Sequence, residues 1–547
     1  MKKILTAIAI GLMLSSAASA QRHTMPEAMQ KLLNAEYAIS TLYVDTVNED
    51  KLVEEAIKGM LESLDPHSSY TDAKETKELE EPLQGEFSGV GIQFNMNKDT
   101  LYVIQTIPGG PSERVGVLAG DRIIYVNDTV IAGVKMKNSD IQKRLRGKKG
   151  TNVTIKVKRP GVKELITFRI TRDNIPLHSI DAQYMLDERT GYLRISRFGA
   201  KTHEEMMEAL KQLKKQGMTQ LVMDLSDNGG GYLNAAIDMC NEFLDRGQLM
   251  VYTEGENSPR NEANANGWGE YKDLRMAIIV NQYSASAAEI FAGAMQDWDR
   301  AVVVGRRTFG KGLVQRPFKF EDGSMMRLTV ARYYTPSGRC IQKPYARGNK
   351  KAYENELLDR ANEGEYYCLD SIQFNDTLRY TTRLNGRTIY GGGGVMPDVY
   401  VPDTTEYSTY YRDLTAKGII NQYAIKYVDS NRKAIIKRYK TVQEFDRGFQ
   451  VTDDMMRDLI ALGENDSVKY DEGKYRTSEQ LIKAITRGLI ARDVYGDQSA
   501  YSVIINHRNH DVQAALDILN DQERYNRLLI EGNPEYERLV KRTEGHQ

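Results

Sequence analysis

The chain has 547 residues, which at about 150 per domain predicts three to four domains. Hydrophobic residues make up 41% and charged residues 27%, a globular composition that excludes wholesale disorder, a collagen-like fibre and a polytopic membrane protein. Lys and Arg (74) nearly cancel Asp and Glu (75), so nothing in the charge points to a nucleic-acid partner.

Lys2 and Lys3 open the chain, an apolar run follows from Ile4 to Leu14, and Ala18-Ser19-Ala20 closes the segment. This is the layout of a Sec signal over residues 1–20, cut before Gln21. The run is shorter than the roughly 20 apolar residues that span a bilayer. No Cys follows the cut to carry a lipid. The expected mature protein is exported, to the periplasm or elsewhere in the cell envelope, with no integral membrane segment. Of three cysteines, Cys340 and Cys368 could pair, while Cys240 lies in an apolar helical pattern that suits a buried, inert thiol. Neither CxxC nor HExxH occurs, and the expectation is no metal and no cofactor.

Residues 26–64 read as helical, with Leu52, Val53, Ala56, Ile57, Met60, Leu61 and Leu64 at helical spacing and Asp65-Pro66 as the stop. Residues 84–173 change to short strands and turns, with strands predicted at Leu101 to Ile107, Asp121 to Asn127 and Asn152 to Lys158, and a short helix at Ser139 to Leu145. From about 190 the pattern is strand–loop–helix. Leu221 to Leu225, Met276 to Val280 and Ala301 to Gly305 are short, nearly all-apolar runs, which suit strands buried on both faces. Helices are predicted at Leu233 to Leu244 and Ser286 to Trp298. From about 405 onward the chain is polar and helical.

Ligands of an open α/β sheet sit outside the carboxyl ends of its strands. Three loops qualify: Ser226 to Gly231, Asn281 to Ala287 and Thr308 to Gly312. Together they offer free backbone N–H groups, a hydroxyl at a helix start and a lysine between glycines. Those parts match a serine nucleophile activated by a desolvated lysine, with Ala287 and Gly230 supplying N–H groups to an oxyanion. Taken one at a time each has an ordinary role: an N-cap, a turn, a solvated loop tip. None of the seven histidines falls in these loops. His67 is the one candidate for a histidine-based alternative, and it follows a helix stop.

The strings Asn281 to Met295 and Gly310 to Gln315 resemble the carboxyl-terminal processing (tail-specific) proteases. Leu64 to Tyr70, Asp224 to Gly231, Tyr334 to Arg339 and Gly391 to Asp398 extend the resemblance over most of residues 30–403. It implies an α/β (α+β) multidomain protein: an N-terminal helical region at 21–83 and a PDZ-like β-rich domain at 84–173 inserted ahead of a protease core with a mixed sheet at 174–403. The polar helical pattern beyond it, outside the shared motifs, reads as a helical C-terminal domain at 404–547. The resemblance also implies an exported serine endopeptidase with Ser286 as nucleophile, Lys311 as general base and Gln315 orienting the lysine. Gly230 and Ala287 resemble the oxyanion donors. Gly89, Val90, Gly91 and Ile92 resemble the loop that binds a peptide terminus.

Asp297 matches an acidic position discussed for some members, but eleven residues of helix past Ser286 put it about 16 Å away. Ser226 and Gly229 stand where the family usually has arginine and proline, which removes a salt bridge and loosens the loop. The implied partners are proteins with free C-terminal tails. An adaptor or lipoprotein, and a second copy bound through the helical terminal regions, are further candidates. The competing reading is a non-catalytic PDZ scaffold or chaperone on a protease fold.

Overall fold

In a computed structural model, residues 25–539 are described apart from 98, 375, 406 and 537. The signal reading at 1–20 lies outside the described residues. Residues 26–64 form two helices, Glu27–Leu42 and Glu49–Glu62. A further helix, Ala73–Gln84, has only a short apolar stripe at Leu79, Pro82 and Leu83 but carries both end signals. Asp72 Oδ1 accepts the Glu75 N–H at 2.7 Å, the Glu75 carboxylate accepts the Asp72 N–H at 3.2 Å, and Gly85 at φ +76° closes the last turn.

Next comes the β-rich module. Strands Glu86–Gly89 and Asp173–Pro176 pair antiparallel, so the module enters and leaves through one two-stranded stem, as an insertion requires. Its sheet runs Ile92–Asn97, Thr100–Thr106, Arg122–Val126, Asn152–Lys158, Ile166–Thr171, all antiparallel. Helix Asn138–Leu145 closes a separate core with Ile141 and Leu145.

The central sheet has six strands in the order Ile180–Met185, Thr190–Ile195, Gln220–Asp224, Arg275–Val280, Val302–Gly305, Val399–Tyr400. The first pair is antiparallel and the rest are parallel. The three apolar runs read from the sequence are its middle strands, buried along nearly their whole length. Helices Thr202–Lys215, Leu233–Asn241 and Ala287–Asp297 cover one face. The other face is covered by His510–Asn520 and Gln522–Ile530, where Val512, Ala515, Ile518, Leu519, Tyr525 and Leu528 meet Tyr192, Val222, Ala277 and Ile279. The far C-terminus therefore belongs to the packing of the core, which a division at residue 403 does not anticipate.

A second, antiparallel sheet carries Ser69–Thr71, Met325–Tyr334, Leu249–Gly255 and Ser258–Asn264, with Leu313–Lys319 also paired to Met325–Tyr334. Between residues 409 and 505 the helices pack round their own core of Tyr410, Leu414, Tyr423, Phe445, Leu459 and Ile482. Among the described residues no helix is long and apolar enough to cross a membrane. All three cysteines are free; burial pushes the Cys240 thiol well above its usual range.

Candidate active site

Ser286 stands at the turn between strand Arg275–Val280 and helix Ala287–Asp297, with φ +59° and ψ −118°. This is strained backbone for a residue with a Cβ, and such strain persists only where its surroundings enforce it. They do. The helix is buried at every residue, and the Ser286 N–H donates to Glu289 at 2.8 Å.

Glu289, fully buried, is also the acceptor for the Gly310 N–H at 2.7 Å, the Lys311 N–H at 2.8 Å and the Thr308 hydroxyl. Burial pushes its carboxyl up while these donors pull it back. One side chain thus clasps the start of the serine helix to the lysine loop.

Ser286, Ala287, Gly230, Lys311 and Gln315 all line one cavity of about 580 Å³. Its apolar wall includes Leu83, Leu233, Ile290 and Val314. No direct hydrogen bond joins the Ser286 and Lys311 side chains, a looseness common in unliganded sites. The buried Tyr333 phenol lines the same cavity and donates to the Lys311 carbonyl. Burial lowers the Lys311 pKa most, and the like charge of Arg327 lowers it further, against Glu289 and Asp65. An amine held this way is more readily neutral, as a base must be.

Gly230 presses its backbone against the serine: an added Cβ would lie 2.7 Å from Ser286 Cβ and 2.8 Å from the Ala287 nitrogen. Its N–H donates to Asn228 Oδ1 at 2.9 Å, so the first of the two expected oxyanion donors is already engaged. Ala287 is the first helical residue, and its N–H has no intrahelical carbonyl to meet. Around Ser226, Arg194 pairs with Asp224 at 3.2 Å and with Asp227 at 3.1 Å.

Asp297 pairs with Arg339 at 2.8 Å, both fully buried, which gives it a structural task away from the serine. His67 shares a hydrogen bond with the Tyr353 hydroxyl at 2.8 Å and none with Ser286. Burial and the Lys311 charge hold its ring neutral, with a pKa of about 3.

In the module, Val90, Gly91 and Ile92 line a groove of about 270 Å³ between strand Ile92–Asn97 and helix Asn138–Leu145, with Phe87 and Arg146 at one end. Gly89 stands beside it in the stem, opposite Asp173. Arg146 donates to Glu81 at 2.6 Å, and Glu81 belongs to the helix whose Leu79, Glu80, Pro82 and Leu83 line the serine cavity.

The family model for peptidase family S41 matches residues 189–348, and the PDZ domain model matches 88–170. The model for the activating protease CtpB N-terminal domain matches 10–76. A family of unknown function matches 410–496. The carboxy-terminal processing protease CtpB of Bacillus subtilis (strain 168) is 34% identical over 356 residues, 64% of this chain and 72% of that one. The chain belongs to peptidase family S41. A second relative, the carboxy-terminal processing protease CtpA of the same organism, is 35% identical over 333 residues, 60% of this chain and 70% of its own. The probable CtpA-like serine protease of Staphylococcus epidermidis (strain ATCC 12228 / FDA PCI 1200) is 35% identical over 320 residues, 58% of this chain. The match spans 64% of that relative's length.

Proposed function

We propose that this S41 protein is an exported serine endopeptidase that cleaves other proteins at or near their C-terminal tails. Ser286 is the nucleophile and Lys311 its general base, with Gln315 orienting the lysine. The observation that carries this reading is the strained turn at Ser286, enforced by Glu289, in the same cavity as a desolvated lysine. Lys311 in its neutral form takes the Ser286 proton as Oγ attacks the scissile carbonyl, then returns it to the leaving amine. The Ala287 N–H faces the developing oxyanion. The Gly230 N–H joins it when substrate draws it from Asn228. Activity should rise with pH through the lowered Lys311 pKa, because only the neutral amine accepts the proton.

The PDZ domain captures the tail as an added strand beside Ile92–Asn97, its terminal carboxylate held at the Gly89–Ile92 loop. The salt bridge from Arg146 to Glu81 links this groove to the wall of the serine cavity, which supports gating by tail binding. The N-terminal signal pattern supports export to the periplasm or cell envelope. Helix Glu27–Leu42 buries none of its residues and exposes Met29, Leu32, Leu33 and Tyr37, which supports a homodimer through this region. Adaptor or lipoprotein partners would be sought by co-purification.

The test is to incubate the mature protein with unfolded proteins and read products by mass spectrometry, beside Ser286→Ala and Lys311→Ala. Both variants should keep the fold and lose cleavage. Full cleavage by either overturns the assignment, and tail binding without turnover by the parent protein would favour a scaffold.

A further inference from the structure

The motif Leu64–Tyr70 approaches the site from the N-terminal side, and the reaction so far gives it no task. Asp65 is buried, and its carboxylate collects four donors. Oδ1 accepts the N–H of His67 at 2.9 Å, the N–H of Ser68 at 2.9 Å and the Thr329 hydroxyl at 3.0 Å. Oδ2 accepts the Ser68 hydroxyl at 2.5 Å, and Ser68 Oγ in turn accepts the Thr329 N–H at 3.0 Å. Thr329 Oγ1 also accepts from Gln315 Nε2 at 3.3 Å. These contacts follow from the sheet: Ser69–Thr71 pairs with one side of Met325–Tyr334, and on the other side Gln315 stands opposite Thr329.

Donor and acceptor counts give this chain a direction. An ionised carboxylate only accepts, and a hydroxyl has a single proton. Thr329 donates that proton to Asp65, so toward Gln315 it can only accept. The amide must therefore turn its NH₂ to Thr329 and keep its carbonyl for the cavity it shares with Lys311.

We infer that Asp65 is a positioning residue: through Thr329 it fixes the orientation of Gln315, so that the amide presents Lys311 with an acceptor and not a donor. The distinction matters chemically. An acceptor binds a lysine N–H and leaves the amine lone pair for the Ser286 proton, whereas an amide N–H would occupy that lone pair. The inference rests on the Ser286–Lys311 reading.

Thr329→Val removes one hydroxyl and changes no charge. The charged and titratable groups around Lys311 all remain: Arg327 on the paired strand, Glu289 on the serine helix, Asp65 and His67 on the motif and Tyr333 at its carbonyl. In Thr329→Val the amide loses its fixed partner, and in Asp65→Ala Thr329 loses the acceptor that holds its proton, so in both the amide is free to turn. The expected result for both is a fall in kcat of about 10- to 100-fold, the usual cost of losing a partner that orients a functional side chain. KM should stay nearly constant.

The acid limb of the kcat profile should move to lower pH, because losing an acceptor beside an ammonium disfavours its charged form. In a Gln315→Ala background Thr329→Val should then cost less than about twofold, since the two act as one unit. Losses that multiply in the double variant, or a kcat loss with an unmoved acid limb, overturn the inference. Full activity of Thr329→Val overturns it too. Failure of the underlying reading is separate and visible in the same assay, as full turnover by Ser286→Ala. Thermal unfolding checks each variant, and if Asp65→Ala does not fold, Thr329→Val alone decides.

Discussion

An added Cβ at Gly230 would lie 2.6 Å from the Ala285 carbonyl oxygen, at a φ of +92° that side-chain-bearing residues rarely adopt. At its neighbour Gly229 an added Cβ meets nothing within 4 Å, and φ is not positive. Gly229→Ala should therefore stabilise the protein by about 0.4–1 kcal/mol, through a less flexible unfolded chain, and leave turnover intact. Gly230→Ala should lower Tm and abolish cleavage, since the serine turn must move aside. Equal thermal shifts in the two variants would refute this account of the loop. In the sequence the two glycines are members of one run, and only the approach of the serine turn distinguishes them. The proposed roles of Ser286, Lys311 and Gln315 rest on the order of motifs in the sequence. The clasp by Glu289 is not legible there, because it joins residues 286, 308, 310 and 311 across two loops.

Helix Ala73–Gln84 shows why an element can escape a periodicity search. Its composition is charged, Pro82 interrupts its last turn and only Thr76 is buried, so its apolar face is reduced to Leu79, Pro82 and Leu83, a stripe too short to register in the sequence. Its start was nonetheless written in Asp72 and Glu75. The helix bridges two sites: Leu79, Pro82 and Leu83 wall the serine cavity, and Glu81 holds Arg146 at the PDZ groove. On the proposed tail-capture reading, a tail carboxylate at the Gly89–Ile92 loop would compete with Glu81 for the Arg146 guanidinium at the same end of the groove. Glu81→Gln should therefore bind peptides with a free C-terminus about tenfold more tightly, one charge-assisted contact being worth about 1.5–3 kcal/mol before competition. Amidated peptides should be unaffected, and Arg146→Gln should erase the difference between the two. Calorimetric titration of both peptide forms measures this, and equal gains for free and amidated peptides would exclude competition at Arg146.

At the scale of the whole molecule, the apolar runs at 221–225, 276–280 and 301–305 require cover on both faces of a sheet. One cover comes from the helices that alternate with those strands. The other comes from residues 510–530, some 200 positions further on, where Ile518 and Leu519 are fully buried against the strands. Ile518→Ala should cost about 2–5 kcal/mol in chemical denaturation, a large share of a typical 5–15 kcal/mol. A loss below about 0.5 kcal/mol would mean that the C-terminal helices are not part of the core. The sequence by itself determined the apolar middle strands of the central sheet, three strands of the β-rich module and the helix that begins at the serine, because periodicity and turn chemistry act over a few residues. The strands of the second sheet carry no such signal. Tertiary structure alone decided which segment covers the second face, where Asp65 and Glu289 send their hydrogen bonds, and that the Gly230 N–H is held by Asn228. Those contacts join residues far apart in the chain or in separate loops, and only folding determines which of them meet.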